Sequence, residues 1–205
     1  GGGDDERAFV ERTAQVEGGQ RLQPAIACVV DQTAGTGRAA RGDAHLLDAE
    51  AVDEGIEVRA ALHARAAHGL RRIAAVDFDV HHGNGTQNCF YDDPDLFYGS
   101  RRQSPFYPGT GASGESGIAG NIVNIPLQQG CDSATFRRHM QTQMLPALRE
   151  FAPELLVISA GFDAHHMDPL GGLALTDDDF CWITRELMAV ADDCARGRVV
   201  PTLEG

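Results

Sequence analysis

The sequence predicts an α/β protein with three layers, in which helices cover both faces of a mostly parallel β-sheet. Short apolar runs with the composition of buried strands alternate with segments of helical apolar spacing in the later part of the chain. Two of these runs end in acidic and histidine side chains, as expected where the carboxyl ends of parallel strands form a ligand site. With 205 residues and 42% hydrophobic content, the chain can bury the core of one domain.

The first part of the chain gives the weaker predictions. Residues 24–30 could form a strand, and the alanine-rich stretch from Val58 to Ala67 is typical of a helix. Residues 72–76 form a continuous apolar run, which predicts a strand that is covered on both faces.

The later elements are delimited by capping residues. Asp132 or Ser133 can cap a helix, and Thr176 with Asp179 matches the pattern of a capping box. The predicted segments are a helix that ends near Pro153, a strand over residues 154–159, a helix from Thr176 to about Cys194 and a third strand from Arg198. This alternation of strand and helix is that of a parallel α/β sheet.

Composition argues against several classes of protein. The formal net charge of -13 disfavours a nucleic-acid partner, because binding a phosphate backbone relies on clustered Lys and Arg. No apolar run approaches the roughly 20 residues that span a bilayer, and the first residues lack a signal-peptide pattern, so we expect a cytoplasmic protein without membrane contact. The five cysteines are scattered, which predicts reduced and mostly buried thiols rather than a zinc site.

The stretch AVDFDVHHGNGT places two carboxylates and two imidazoles directly after the first of these apolar runs. If the strand continues, Asp77, Asp79 and His81 project from one face. His82 would then point away, which suggests a packing or supporting role. Asp and His bind Zn²⁺ and other divalent metals, and three protein ligands with one position left for water are typical of a catalytic site. Asp163, after the next strand, is the best candidate for the third ligand.

A divalent ion at this place would support amide hydrolysis, because it polarises a carbonyl and lowers the pKa of a bound water to about 7. The alternative is that the carboxylates are merely solvated at the end of a strand. The full pattern Asp-x-Asp-x-His followed by Gly-Asn-Gly, with a second acidic strand end downstream, favours the metal site.

Four motifs resemble the metal-dependent deacetylase family, which holds histone deacetylases, acetylpolyamine amidohydrolases and acetoin-utilisation proteins. They are DFDVHHGNGTQ at 77–87, SPFYPGTGA at 104–112, GNIVNIPL at 120–127 and SAGFDAHHMDPLGGLALT at 159–176. The resemblance runs continuously from about Ala60 to Gly205. It implies an arginase-like three-layer deacetylase fold, with residues 1–205 as one incomplete domain in which residues 1–59 match poorly.

The resemblance also implies an activity and a set of site residues. The activity is hydrolysis of the acetyl amide of a lysine or polyamine substrate. Asp79, His81 and Asp163 would bind Zn²⁺, or Fe²⁺ in some members, while Asp77 would orient an active-site histidine. A structural potassium ion would take Asp77, the main-chain oxygens of Asp79, His81 and Arg101, and the hydroxyl of Ser100, and the acyl-lysine tunnel would be lined by Tyr107 and Leu170.

The chain departs from the family pattern near both ends. The family's general base belongs to a His-His pair upstream of Asp77, whereas residues 1–70 contain only His45, His63 and His68, none of them adjacent. Either a shifted reading frame before about residue 60 or true divergence would explain this difference, and His45 is a candidate replacement base. The family continues the final Leu-Glu-Gly with Gly-Tyr, whose tyrosine stabilises the oxyanion, so we expect an incomplete domain.

Three functions therefore stand at this point. The first is a zinc-dependent deacetylase, impaired as this chain is written. The second is a catalytically inactive remnant that binds a metal or an acyl ligand, since the base and the tyrosine are missing. The third is a di-manganese amidinohydrolase such as arginase, whose Asp-x-His-x-Asp spacing the AVDFDVHHGNGT stretch does not show. In addition, Arg101 and Arg102 stand where the family commonly has Leu-His, which bears on the potassium site.

Overall fold

The computed structural model describes residues 55–204, and these confirm the predicted α/β/α arrangement. The elements in chain order are α1 (Ile56–His68), β1 (Ile73–Asp77), α2 (Asn84–Phe90), β2 (Leu96–Gln103), β3 (Ile122–Leu127), α3 (Ser133–His139), a π-helical turn (Met140–Met144), α4 (Leu145–Phe151), β4 (Leu155–Gly161), α5 (Asp177–Ala195) and β5 (Val199–Glu204). The strands form one parallel sheet in the order β3-β2-β1-β4-β5. The predicted strand at 24–30 and His45 lie outside the described residues.

The two strands at the centre of the sheet, β1 and β4, are buried along their whole length. They are continuous apolar runs because helices cover both of their faces. On one face α1 packs through Val58 and Ala61, and on the other α4 and α5 pack through residues such as Leu148 and Leu187. Since β1 and β4 are parallel neighbours, the segments that follow them leave the sheet side by side.

The helix caps agree with the sequence. Asp132 caps α3 by accepting a hydrogen bond from the backbone N–H of Thr135 at 2.9 Å. Thr176 and Asp179 form the predicted capping box at the start of α5. The helix that was expected to run to about Pro153 is interrupted by the π-helical turn before Pro146. Because proline has no amide hydrogen, the regular i to i−4 hydrogen bonds cannot continue through it.

Three elements were not predicted: α2, β2 and β3. β2 reads LFYGSRRQ and is buried throughout, but its second half is polar, so it lacks an apolar pattern. β3 contains Asn124 and Pro126, which are both unusual within strands. In both strands the surrounding fold, rather than local preference, determines the conformation.

The surface of the described part also corrects one expectation. Cys131 is buried, as expected, but Cys89 and Cys181 are exposed, so the prediction of mostly buried cysteines is wrong for these two. They lie on the solvent-facing sides of α2 and α5, where burial is not available. Within residues 55–204, no helix has both the length and the apolar character needed to cross a membrane.

A buried carboxylate joins the start of α5 to α3. Asp179 accepts hydrogen bonds from Ser133 Oγ at 2.6 Å, from Arg137 Nε at 2.7 Å and from the backbone N–H of Thr176 at 2.9 Å. Burial alone would raise the pKa of Asp179, but the hydrogen bonds from Ser133, Thr176 and Arg137 outweigh it and hold the pKa below its usual value.

We predict that Asp179→Asn lowers the free energy of unfolding by about 1–3 kcal/mol near neutral pH, because it breaks a buried set of charge-assisted hydrogen bonds. The pKa of Asp179 is depressed in the folded state. The stabilisation is therefore present above the unfolded pKa of about 3.9 and is lost as the pH falls through the folded pKa. Chemical denaturation at neutral and acidic pH should show the difference between variant and wild type shrinking in acid.

The matched control is Asp178→Asn, at an exposed position in the same first turn of α5. It should change the free energy of unfolding by less than about 0.5 kcal/mol. Equal losses in the two variants would show that general charge at the helix start, rather than the buried contacts of Asp179, provides the stabilisation.

Candidate metal centre

Two carboxylates and one imidazole meet beyond the carboxyl ends of β1 and β4. Asp79 and His81 follow β1, Asp163 follows β4, and one ligand atom from each lies within 4.8 Å of the others. His81 Nδ1 is 3.0 Å from Asp79 Oδ1 and 2.9 Å from Asp163 Oδ2. The structure thus brings together the three residues predicted as metal ligands, and their donor atoms could hold one divalent ion.

The main chain after β1 fixes both carboxylates of this cluster. The backbone N–H of Val80 donates to Asp163 Oδ1 at 2.8 Å, and the N–H of His81 donates to Asp79 Oδ1 at 2.7 Å. The Asp79 side chain also lies against the backbone of Gly161, where an added Cβ would clash with Asp79 Oδ2. Asp79 can therefore occupy this position only because residue 161, at the end of β4, is a glycine.

The cluster is partly open to solvent, as a catalytic metal site must be. The side chain of His81 is 40% exposed, whereas those of Asp79 and Asp163 are 13% and 24% exposed. Burial raises the pKa of Asp163, and the charge of Asp79 adds to this effect, while the hydrogen bond from Val80 opposes it. Carboxylate oxygens and one imidazole nitrogen in an open site suit a divalent ion that keeps a position for water or substrate.

Asp77 lies beside the cluster and is not part of it. Its Oδ2 accepts a hydrogen bond from the Tyr98 hydroxyl at 2.7 Å, and its Oδ1 accepts one from the N–H of Asp79 at 2.9 Å. Burial raises the pKa of Asp77 to about 7. β1 ends at Asp77, so the expectation that Asp77, Asp79 and His81 project together from one continuing strand is wrong. The chain turns after Asp77, and this turn, not strand alternation, brings the side chains of Asp79 and His81 close to Asp163.

The second histidine of the motif is a buried structural side chain. His82 Nε2 is 2.9 Å from Gln87 Oε1, and Nδ1 is 2.7 Å from Thr110 Oγ1. Since Gln87 Oε1 can only accept, Nε2 carries the hydrogen and Nδ1 accepts from the Thr110 hydroxyl. Burial lowers the pKa of His82, which favours this neutral form. His82 therefore connects the ligand segment, residues 79–81, to the loop between β2 and β3. It stands apart from the cluster, as expected.

Ser100 and Arg101, the residues implied for a structural potassium ion, lie in β2 next to β1. Ser100 Oγ is buried and has no hydrogen-bond partner in the described part of the chain, so it could bind an ion. Arg101 is fully buried, and its Nη2 donates to the main-chain oxygen of Phe78 at 2.5 Å. Burial lowers the pKa of Arg101 to about 10, so the guanidinium stays protonated at neutral pH. A buried positive charge here was not anticipated, because the resemblance involves only the main-chain oxygen of residue 101.

Two aromatic side chains, Phe106 and Tyr107, lie beside His81 of the cluster. Tyr107 and Leu170, predicted to line a substrate tunnel, are 78% and 77% exposed. The ring centroid of Tyr107 is 6.4 Å from that of His81, and the ring of Phe106 is closer at 5.0 Å. Phe106 was not predicted as a site residue, although its place beside Tyr107 in SPFYPGTGA is a signal that could have identified it.

Comparisons with known proteins agree with this geometry. Residues 57–205 match the family model described as a histone deacetylase domain. Histone deacetylase 10, chloroplastic, of Oryza sativa subsp. japonica is 42% identical over 149 residues, which cover 71% of this chain and 34% of that protein. The histone deacetylase-like amidohydrolase of Pseudomonas aeruginosa is 40% identical over 146 residues, covering 69% of this chain and 38% of that protein.

The fold is also that of a solved structure, the HDA15 HD domain. The two share 38% sequence identity with a TM-score of 0.65, covering 71% of this chain and 42% of that chain. The chain spans between about a third and two fifths of the length of these two curated relatives.

We predict that Gly161→Ala weakens divalent metal binding by at least about tenfold, because the added methyl group displaces Asp79 from the cluster. Titration with Co²⁺, followed by its visible absorption, measures the dissociation constant. Gly114→Ala is the matched control, since a Cβ at that loop position meets open space. Wild-type affinity in Gly161→Ala would show that the contact with Asp79 does not position the ligand.

Proposed function

Because this chain belongs to the histone deacetylase family, we propose that it carries the metal-binding part of a deacetylase that hydrolyses acetyl amides of lysine or polyamine substrates. The convergence of Asp79, His81 and Asp163 is the observation that carries the proposal. We further propose Zn²⁺ as the ion, with Fe²⁺ as the alternative, since both suit two carboxylates and one imidazole in an open site.

The ion, when bound, would polarise the amide carbonyl and lower the pKa of a water ligand to about 7. The chain's own contribution is to hold the ligands in place before the ion arrives. The N–H groups of Val80 and His81 orient the two carboxylates, which reduces the reorganisation needed on binding. The rings of Phe106 and Tyr107 beside His81 would contact the aliphatic part of an acyl-lysine and exclude water from it.

Proton transfer needs a group outside the described cluster. His82 has both ring nitrogens engaged, by Gln87 and Thr110, so it cannot act as a base without losing a buried hydrogen bond. His81 Nδ1 is directed at the two carboxylates. Within residues 55–204, the hydrogen bonds and ion pairs of Asp79 and Asp163 thus involve no second histidine. If the residues outside 55–204 supply no general base, we expect slow turnover from this chain, because loss of a general base typically costs ~10²–10⁴ in rate.

The same observation supports a second candidate function. A chain that holds the metal but lacks a base would bind the ion or an acylated ligand without hydrolysing it. The described site supports this remnant function as well as it supports slow catalysis, and zinc uptake without turnover distinguishes it from the deacetylase.

The partner and the location are also proposals. A net charge of -13 supports a cationic substrate, such as a polyamine or a lysine-rich peptide, over a nucleic acid. A cytoplasmic location stays a prediction from the sequence.

We predict that the Zn²⁺-loaded chain hydrolyses a fluorogenic acetyl-lysine peptide slowly. Asp163→Ala should reduce this turnover at least ~100-fold, because it removes a metal ligand, and loss of a residue that only hydrogen-bonds to a ligand already costs ~10–100-fold. Initial rates with and without a chelator measure the effect. Asp178→Asn, at an exposed acidic position away from the cluster, is the control and should retain wild-type turnover. Turnover that is insensitive to both the chelator and Asp163→Ala would contradict the proposal.

Metal stoichiometry separates the remaining possibilities. One Zn²⁺ per chain, lost in Asp163→Ala, supports the metal site, and detectable turnover then supports the deacetylase. One Zn²⁺ without turnover identifies the remnant function. Two metal ions per chain would instead favour the di-manganese amidinohydrolase reading. Elemental analysis of the purified chain after dialysis against the metal gives this count.

A further inference from the structure

Arg101 is a charged side chain placed inside the core. It is fully buried, and it projects from the face of β2 that packs on α3, with Cζ 5.1 Å from the ring centroid of Phe136. Its Nη2 is satisfied by the Phe78 carbonyl, but its Nε and Nη1 have no hydrogen-bond partner within residues 55–204. A buried charge of this kind is strongly destabilising unless nearby groups of opposite charge compensate it.

The Arg101 guanidinium lies beside the carboxylates that could compensate it, because its Nη2 donates to the carbonyl of Phe78, the residue between Asp77 and Asp79. Burial lowers the pKa of Arg101, and the negative charges of Asp77, Asp163 and Asp79 oppose this lowering. Within residues 55–204, no carboxylate forms an ion pair with Arg101, so these charges act on the guanidinium at a longer distance than a direct contact. At the low dielectric of the interior such charges interact over longer distances than in water.

We propose that Arg101 is an internal cation that offsets the carboxylates at and beneath the metal centre, so that this chain does not need a separate monovalent ion there. The inference rests on the proposed metal centre, whose ligands provide two of the three carboxylates. The buried Oγ of Ser100 has no hydrogen-bond partner in the described part of the chain, but the Arg101 guanidinium already supplies one positive charge at the backbone carbonyl between Asp77 and Asp79. In this respect the residues present disagree with the potassium site that the family resemblance implies.

The neighbouring arginine shows that burial of an arginine in β2 does not itself imply this role. Arg102 points to the opposite face of the strand and donates to the Gly111 carbonyl at 2.7 Å and 3.2 Å, and to the Gln103 carbonyl at 3.3 Å. The charge that most favours its protonated form is Glu115, not a carboxylate of the cluster. Arg102 is therefore satisfied by loop carbonyls and serves as a matched control.

The test uses the full chain, free of divalent metal, as wild type and as Arg101→Met, Arg101→Lys and Arg102→Met. Thermal unfolding is followed by circular dichroism in choline, sodium and potassium chloride at equal ionic strength. We expect the midpoints of wild type, Arg101→Lys and Arg102→Met to be independent of the cation. Arg101→Met should be raised by sodium or potassium relative to choline, because uncompensated carboxylates then recruit a small cation.

A second readout is the affinity for Co²⁺ in choline chloride. Removing a positive charge from the region should tighten Co²⁺ binding in Arg101→Met by about tenfold or more, while the two other variants bind as wild type does. Cation-independent unfolding together with unchanged or weaker Co²⁺ binding in Arg101→Met would overturn the inference. If Arg101→Met does not fold, Arg101→Lys decides the test. An unfolding midpoint that is independent of the cation, as in wild type, supports a role for the positive charge. A midpoint of Arg101→Lys that depends on sodium or potassium overturns the inference.

Failure of this inference can be told apart from failure of the proposed function. If wild type binds no divalent metal, the metal centre is refuted, yet the unfolding series still tests Arg101 on the metal-free chain. If Asp163→Ala abolishes Co²⁺ binding while Arg101→Met behaves as wild type, the metal centre stands and the internal cation does not.

Discussion

Two carboxylates, those of Asp79 and Asp163, are held close to one imidazole nitrogen beyond the carboxyl ends of β1 and β4, and the site depends on keeping these like charges together. Each is oriented by a backbone N–H group, from His81 and Val80. Without such donors, or a bound cation, two carboxylates so close together would favour protonation of one of them. Three features stabilise this arrangement: the ligand segment, Gly161 at the end of β4 and the buried Arg101 in β2.

The sheet explains why the arrangement forms at this place. β1 and β4 are neighbours, so the chain segments beyond their carboxyl ends are close although they are far apart in sequence. Buried, mostly apolar residues fill both faces of these strands, and the acidic side chains lie at or beyond the strand ends. The rigid part of the fold therefore positions the site, and the loops that follow provide its chemistry.

The sequence predicts the parts of this structure that local pattern controls. The apolar runs of β1 and β4, the Asp132 cap and the Thr176 capping box each follow from neighbouring residues. β2 was missed because its buried Arg101 is stabilised by groups distant in sequence, the Phe78 carbonyl and the carboxylates of the cluster. The three ligands could be selected from their motifs, but the position of Asp77 could not, because its carboxylate also accepts a hydrogen bond from Tyr98 in the neighbouring strand β2.

The hydrogen bonds from Val80 and His81 to the two ligand carboxylates link occupancy of the site to the order of its backbone. An ion that binds only the folded arrangement stabilises it by about 1.4 kcal/mol for each tenfold excess of free ion over its dissociation constant. The same increment applies to any local opening that breaks these two hydrogen bonds, so opening becomes about tenfold rarer for each tenfold of excess ion. The metal supply of the cell would thus set how often this segment is exposed to proteases, and hence the lifetime of the chain, independently of any catalysis.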